Sequence, residues 1–302
     1  MAERGHAGAT ALGCISILFW SGLALLTVGA RGIPPFELLS LSFGVAFISG
    51  LVMLIVRGPS ALARLRQPIL PWAIAFLGLF LYHALYFFAL ATIPPAQASL
   101  IAYLWPLLIV VLSAIFPGGS GLKLRHLLGA GLGLAGTALI LSDHGLASAS
   151  HGMNSLGYFA AFGCAFVWSG YSVLNRQFSV VPCEMLVGVC AAVALAGGII
   201  HFLIEPTIWP SPWQWGSILL LGIGPTGLAF LAWDYATKNG NLSLLGSLSY
   251  FAPLLSTLLL VLAGRAEANI SLGMAAFLIV AGAIVASLKL QNIGRFFVRK
   301  LP

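Results

Sequence analysis

Apolar residues recur along the chain in long unbroken runs, not in the alternation that marks a strand half exposed to water. Ten such runs cover residues 9–30, 36–56, 69–91, 95–116, 125–142, 154–178, 183–204, 212–236, 240–263 and 270–290. Stretches of roughly 18–23 residues match the ~30 Å hydrocarbon core of a bilayer. The short alternating segments of a β-barrel are absent, so the backbone must satisfy itself within helices. The pattern predicts an all-α integral membrane protein with ten transmembrane helices.

Composition agrees: 60% of the 302 residues are hydrophobic, 7% are charged, and the mean hydropathy is +1.03. A soluble domain carries about 25% charged residues, because its surface must be wetted. Arg4 precedes a run too long for the apolar core of a signal peptide, and no small-residue cleavage site follows, so the first span is expected to stay.

Net charge is +7, and its distribution excludes a nucleic-acid partner. With the N-terminus inside, one side holds Arg4, Arg57, Arg64, Arg66, Lys123, Arg125, Arg176, Lys238, Lys289, Arg295, Arg299 and Lys300. The other side holds Arg31 and Arg265. This positive-inside bias places both termini in the cytoplasm. The basic tail NIGRFFVRK then meets anionic lipid headgroups. Cys14, Cys164, Cys183 and Cys190 lie in or beside spans without a C-x-x-C pair and read as small buried hydrophobes.

An internal repeat organises the runs. A shift of 147 residues lays Pro35 and Glu37 on Pro182 and Glu184, and Tyr103, Pro106, Leu107 and Leu108 on Tyr250, Pro253, Leu254 and Leu255. One further residue brings Trp20-Ser21-Gly22 onto Trp168-Ser169-Gly170. The units are 1–146 and 147–302, joined by the polar connector at 143–153. Each unit holds five spans, an odd number, so the second must enter the membrane from the opposite side. Inverted repeats of this kind build alternating-access transporters, with the substrate site near midplane between the halves.

Several motifs admit two readings. GLGLAG at 131–136 fits a dinucleotide fingerprint in letters only, since no strand precedes it and no ribose-binding acid follows. With Gly129 and Gly133 it reads as close helix packing, matched in the tenth span by Gly273, Ala276 and Gly282. That surface serves either to join the halves or to make a dimer, and the oligomeric state stays open, a monomer included. Pro106 and Pro253 each remove a helical hydrogen bond and free the carbonyls of Ala102 and Ser249, as a packing kink or as a bend at a cavity. Glu37 and Glu184 stand in first helical turns, where the macrodipole favours an acid; gating is the alternative. Asp234, four residues before Lys238, reads as an ion pair at headgroup level or as a proton-coupling carboxylate.

The segment LYHALYF is the most informative. Tyr82, His83 and Tyr86 share an arc of about 100° on a helical wheel. They lie mid-span, beyond the reach of an interfacial aromatic belt, and a histidine at that depth is a candidate functional group. Tyr103, Trp105, Trp20 and Trp168 lie at comparable depth, so these aromatics are the candidate cavity lining, with Ser249 and its freed carbonyl beside them. The repeat is lopsided here, since His83 and Tyr86 correspond to Phe230 and Trp233. No lysine or arginine sits mid-span to hold a phosphate. The ligand class that remains is small, neutral or zwitterionic, with an aromatic or apolar body. No hydrolase motif, metal-ligand spacing or cofactor motif occurs, so the chain is not expected to be an enzyme.

Ten spans in two five-span units, with AQASLIAYLWPL at 96–107 and a similar run from Asn241 to Pro253, resemble the drug/metabolite transporter superfamily, EamA-like branch. Trp20-Ser21-Gly22, LYHALYF and Tyr103-Leu104-Trp105-Pro106 are similar to the YddG type of bacterial aromatic amino acid exporters within it. The resemblance implies a basket-shaped bundle in the inner membrane that moves aromatic and other hydrophobic amino acids outward. With that substrate class, the mid-span residues Tyr82, His83, Tyr86, Tyr103, Trp105, Trp168, Trp20 and Ser249 are the candidate contacts and Pro106 and Pro253 the candidate bends. Many relatives carry a Gly-Glu pair after the fourth and ninth spans; here those places read Pro117-Gly118-Gly119 and Gly264-Arg265-Ala266-Glu267. Without a mid-span carboxylate, facilitated flux is one coupling mode and a proton carried on His83 the other.

Overall fold

The computed structural model describes residues 2–93, 95–116, 123–143, 155–264 and 269–287, and every regular element among them is helical. The first span is α1 (Ala2–Ser21) and α2 (Leu23–Gly29), parted at Gly22. Next come α3 (Pro35–Arg57), the short α4 (Pro59–Ala63) and α5 (Ile69–Thr92). The fourth span is α6 (Pro95–Ala102) and α7 (Trp105–Ile115), followed by α8 (Leu124–Asp143). The second copy opens with α9 (Ser155–Leu174), a 3-10 turn at Asn175–Phe178, and α10 (Met185–Ile204). Its third span is α11 (Pro212–Ile223), a π turn at Gly224–Leu228, and α12 (Ala229–Asn239). Then come α13 (Leu242–Leu248), α14 (Phe251–Leu262) and α15 (Ile270–Ser287).

Eight helices among the described residues are long and apolar enough to cross a membrane, each at an expected position. The expected fifth and tenth spans correspond to α8 and α15. The connector from 144, the Pro117-Gly118-Gly119 and Arg265-Ala266-Glu267 segments and the basic tail lie outside the described residues. Large apolar side chains cover the outside of the bundle, with Leu18, Ile48, Leu195, Phe202 and Phe277 all exposed. Such a surface is stable where the surrounding solvent is hydrocarbon.

Packing pairs each helix with an antiparallel neighbour. The backbone N–H groups of Phe36 and Glu37, at the start of α3, donate to the Glu205 carboxylate just past α10, each at 3.1 Å. At the other end Arg57, the last residue of α3, lies 3.9 Å from Glu184, the N-cap of α10. Two ends of the bundle are thereby defined, a Glu37 end and a Lys238 end. Helices α8 and α15 also run antiparallel: a Cβ on Gly129 would meet the Gly282 carbonyl at 2.5 Å, and one on Gly136 the Ala275 carbonyl at 2.8 Å. The small-residue faces therefore pack on each other within one chain, joining the two copies. Three tryptophans, Trp209, Trp213 and Trp215, are exposed at the Glu37 end, where indoles favour a membrane interface.

Both prolines of the repeat mark broken helices. α6 stops at Ala102 and α7 restarts at Trp105, with Pro106 in its first turn. The ninth span breaks at Ser249–Tyr250 in the same way, ahead of Pro253. The broken spans touch, since a Cβ on Gly246 would sit 2.9 Å from the Pro106 carbonyl, and Ser113 Oγ lies 2.9 Å from Ser243 Oγ.

The expected Asp234–Lys238 pair forms, with both side chains buried and Nζ 2.7 Å from Oδ2. Lys238 also donates to the Val181 carbonyl at 3.0 Å, and Asn175 Nδ2 to Asp234 Oδ1 at 2.8 Å. Tyr171 and Thr237 close the set. The turn after α9 reaches back over the end of α12, which a one-dimensional reading of the i,i+4 spacing does not reveal.

Candidate functional site

Spans one, three, four, six and eight bring their aromatic residues to one place. The Trp20 ring meets Trp105 at 6.3 Å, Trp168 at 5.6 Å, Phe230 at 5.8 Å and Trp233 at 5.1 Å between centroids. Trp105 and Trp168 also meet each other and Trp233, mostly edge to face, as ring quadrupoles prefer. Trp105, Trp168, Trp233 and Phe230 are buried, so these rings form a closed aromatic plug. Its indoles are anchored: Trp20 Nε1 donates to the Pro225 carbonyl at 3.1 Å and Trp233 Nε1 to Ser172 Oγ at 3.1 Å. The first bond uses the π turn, a distortion frequent at functional sites.

The LYHALYF residues lie against this plug. Tyr82 reaches Trp168 at 5.7 Å, and His83 stands edge-on to Phe43 at 5.4 Å and to Phe230 at 6.5 Å. Tyr82, His83, Tyr86 and Tyr103 are all half-buried, in contrast to the closed rings behind them. The ring nitrogen Nδ1 of His83 lies 2.6 Å from the Leu79 carbonyl, which only accepts, so Nδ1 carries the proton. In the neutral ring Nε2 is then an acceptor. Tyr86 OH pairs with Ser99 Oγ at 2.9 Å, while the Tyr82 and Tyr103 hydroxyls bond no described residue. The wall thus offers one ring-nitrogen acceptor and two hydroxyls that donate or accept, over aromatic faces.

Seven of the eight candidate contacts therefore share one cluster. Ser249 does not join it: it is fully buried, its hydroxyl donates to the Leu245 carbonyl at 2.7 Å, and its own carbonyl accepts from Ala252 N–H at 3.0 Å. The helix restarts so tightly that the carbonyl expected to be free is taken up. Phe43 and Pro225 were missed by the sequence reading. Phe43 is one apolar residue among many in its span, but the Gly224-Pro225 pair inside an apolar run is a signal of a distorted helix.

The repeat-related acids sit at opposite ends. Glu37 accepts from Ile208 N–H at 3.0 Å, beside His201, which lies 3.1 Å from Glu205 and 3.0 Å from Thr207 Oγ1. Glu184 receives Arg64 at 2.6 Å. Burial pushes the Glu184 carboxyl up, but its own backbone N–H and the Arg64 hydrogen bond and charge outweigh that and hold it below its ordinary value. Burial and the Glu184 charge push the neighbouring Cys183 thiol up to about 12. All four cysteines are free. Among the described residues no group of three or more His, Cys, Asp or Glu side chains is placed to hold a metal.

A bundle whose described elements are all helical, with an apolar exterior around an aromatic wall, defines a multi-pass membrane protein. The model of the EamA-like transporter family matches residues 8–142 and again residues 155–288, and the chain belongs to that family. It is a transporter and not an enzyme. Similar proteins include the aromatic amino acid exporter YddG of Ancylobacter novellus, 46% identical over 94% of this chain and 98% of that protein. YddG of Escherichia coli K12 is 27% identical, with 92% and 96% covered. A solved crystal structure that is 45% identical superposes with a TM-score of 0.88 over 95% of this chain and 99% of the other.

Proposed function

We propose that the protein exports aromatic and other hydrophobic amino acids through an inner membrane by alternating access. Two inverted five-span halves, 1–146 and 147–302, make ten spans with both termini in the cytoplasm. The observation that carries this reading is the wall of Tyr82, His83, Tyr86 and Tyr103 over Trp105, Trp168 and Trp20. It suits a zwitterion with an aromatic body: Nε2 of His83 accepts from the ammonium group, the free tyrosine hydroxyls donate to the carboxylate, and the indoles face the ring. The printed function of the relatives, the family match in two segments, and the antiparallel pairing of α3 with α10 and α8 with α15 all support it.

The test is flux of radiolabelled phenylalanine, tyrosine and tryptophan across liposomes holding the purified protein. Wild type moves all three, and His83→Ala and Trp168→Ala reduce the flux at least tenfold, the loss of one to two good contacts at ~1.4 kcal/mol per tenfold. Wild-type flux in both variants refutes the site assignment. An imposed pH gradient that drives accumulation in wild type but not in His83→Gln identifies His83 as a proton carrier. No response in wild type leaves a facilitator.

A further inference from the structure

The π turn in span eight frees a backbone acceptor for one side chain of the aromatic plug. Pro225 has no N–H to give the Leu221 carbonyl four residues earlier. The buried Thr226 hydroxyl supplies a donor instead, reaching that carbonyl at 2.9 Å, and lies 3.3 Å from the carbonyls of Gly222 and of Ser42 on α3. At the end of the turn, the Ala229 N–H bonds the Gly224 carbonyl, not that of Pro225 as a regular α-helix would require. The Pro225 carbonyl is thereby left to a donor from another helix, and Trp20 Nε1 takes it at 3.1 Å. One turn away on α1, Ser16 Oγ donates to the Ala229 carbonyl at 2.8 Å. Gly78 and Leu79, 147 residues before Pro225 and Thr226, lie within the unbroken α5, so an apolar span at this place does not by itself require the turn.

The indole held in this way is the plug ring with open surface. Trp20 is half-buried, whereas Trp105, Trp168, Phe230 and Trp233 are buried. An indole whose N–H has no fixed partner turns more freely about its side-chain torsions, and its open face turns with it. The bond to Pro225 therefore sets which part of Trp20 a ligand meets.

We infer that Pro225 and Thr226 are positioning residues that fix Trp20 and so set the preference of the site for the size of an aromatic side chain. Pro225 presents the carbonyl, and Thr226 holds the turn that leaves it free. A two-ring indole covers more of the Trp20 face than a phenyl ring does, so tryptophan depends on this orientation more than phenylalanine. The inference rests on the transport reading above.

Flux of both amino acids is measured in liposomes holding Thr226→Val, Thr226→Ser or Pro225→Ala. Indole N–H resonances of the same proteins, isotope-labelled at tryptophan, are recorded in detergent; the Trp20 signal is the one that Trp20→Phe removes. Thr226→Val is expected to move that signal upfield and to raise KM for tryptophan by about fivefold, the scale of one lost hydrogen bond. The rise for phenylalanine is smaller, and kcat for both stays near wild type. Thr226→Ser, which keeps the hydroxyl, behaves as wild type. Pro225→Ala, which gives Leu221 a backbone donor, acts in the same direction as Thr226→Val and decides the matter should that variant not fold. An unmoved Trp20 signal in the folded variants overturns the inference, as does an equal change in KM for the two amino acids. Wild-type liposomes that move neither amino acid overturn the transport reading, and the size preference with it; normal wild-type flux with either of the preceding results overturns the positioning role alone.

Discussion

Beside the aromatic plug the Tyr82 and Tyr103 hydroxyls bond no described residue, whereas at the end of α12 Asp234 and Lys238 pair with one another. At the end of α5, Phe87 and Ala91 occupy the places that Asp234 and Lys238 hold at the end of α12. Phe87 packs its ring on Phe36 and His83. Asp234 and Lys238 instead tie α12 to the turn after α9 and to the backbone of Val181. Corresponding positions of the two segments that match the family have thus diverged, one presenting aromatic rings and the other an ion pair tied to a neighbouring turn.

The sharpest way to break that comparison is Lys238→Met. It leaves the Asp234 carboxylate buried without its cation, and loss of one partner of a buried pair costs about 3–5 kcal/mol. Its first-copy counterpart, Ala91→Met, is on the exposed surface and should stay within about 0.5 kcal/mol of wild type. Thermal melts of the two variants in detergent measure the difference, and equal melting points would show that the fastening contributes nothing. A smaller effect is expected from Tyr250→Phe. Removing a buried hydroxyl that bonds nothing should leave stability unchanged or raise it by up to about 1 kcal/mol, whereas a hydrogen-bonded hydroxyl would cost that much. A clear fall in melting temperature would mean that Tyr250 has a partner.

The smallest effect concerns the repeat-related acids. Glu184 has its carboxyl held below the ordinary value, so its contribution is complete above the unfolded value near ~4.3 and fades as pH falls through the lower folded value. Glu184→Gln should flatten the acid limb of the melting curve between about pH 5 and 3, by less than ~1 kcal/mol. The limit is low because Arg64 and Arg57 are more than half exposed. An unchanged acid limb would show that the arginine contact does not persist in solution.

Much of this plan was legible in the residues. Apolar run length located the spans, because lipid thickness leaves a helix little freedom in where it starts and stops. The recurring Tyr-Leu-x-Pro and Tyr-Phe-Ala-Pro stretches located the helix breaks, and LYHALYF located the polar wall. Contacts between elements distant in sequence were not legible. The burial of Asp234 depends on a turn near Asn175 that folds back over α12, and the plug depends on how five spans converge. The small-residue faces left two pairings open; in the fold Gly129 and Gly136 approach α15 within the chain, whereas Gly131 and Gly273 face open space. Ser249 misled for a local reason: freeing a carbonyl from one partner does not expose it when the restarting helix supplies another N–H.

The carboxylate at the start of α3 has a consequence for how the chain is made. The donors on Phe36 and Glu37 find their acceptor in Glu205, 169 and 168 residues later. At a synthesis rate of about 5–20 residues per second, that acceptor leaves the ribosome on the order of 10–30 s after the helix it completes. Until then the second helix sits in the membrane with its first turn open to water or headgroups. The finished joint dates from after the second half arrives, so assembly of the halves and completion of that helix are one event.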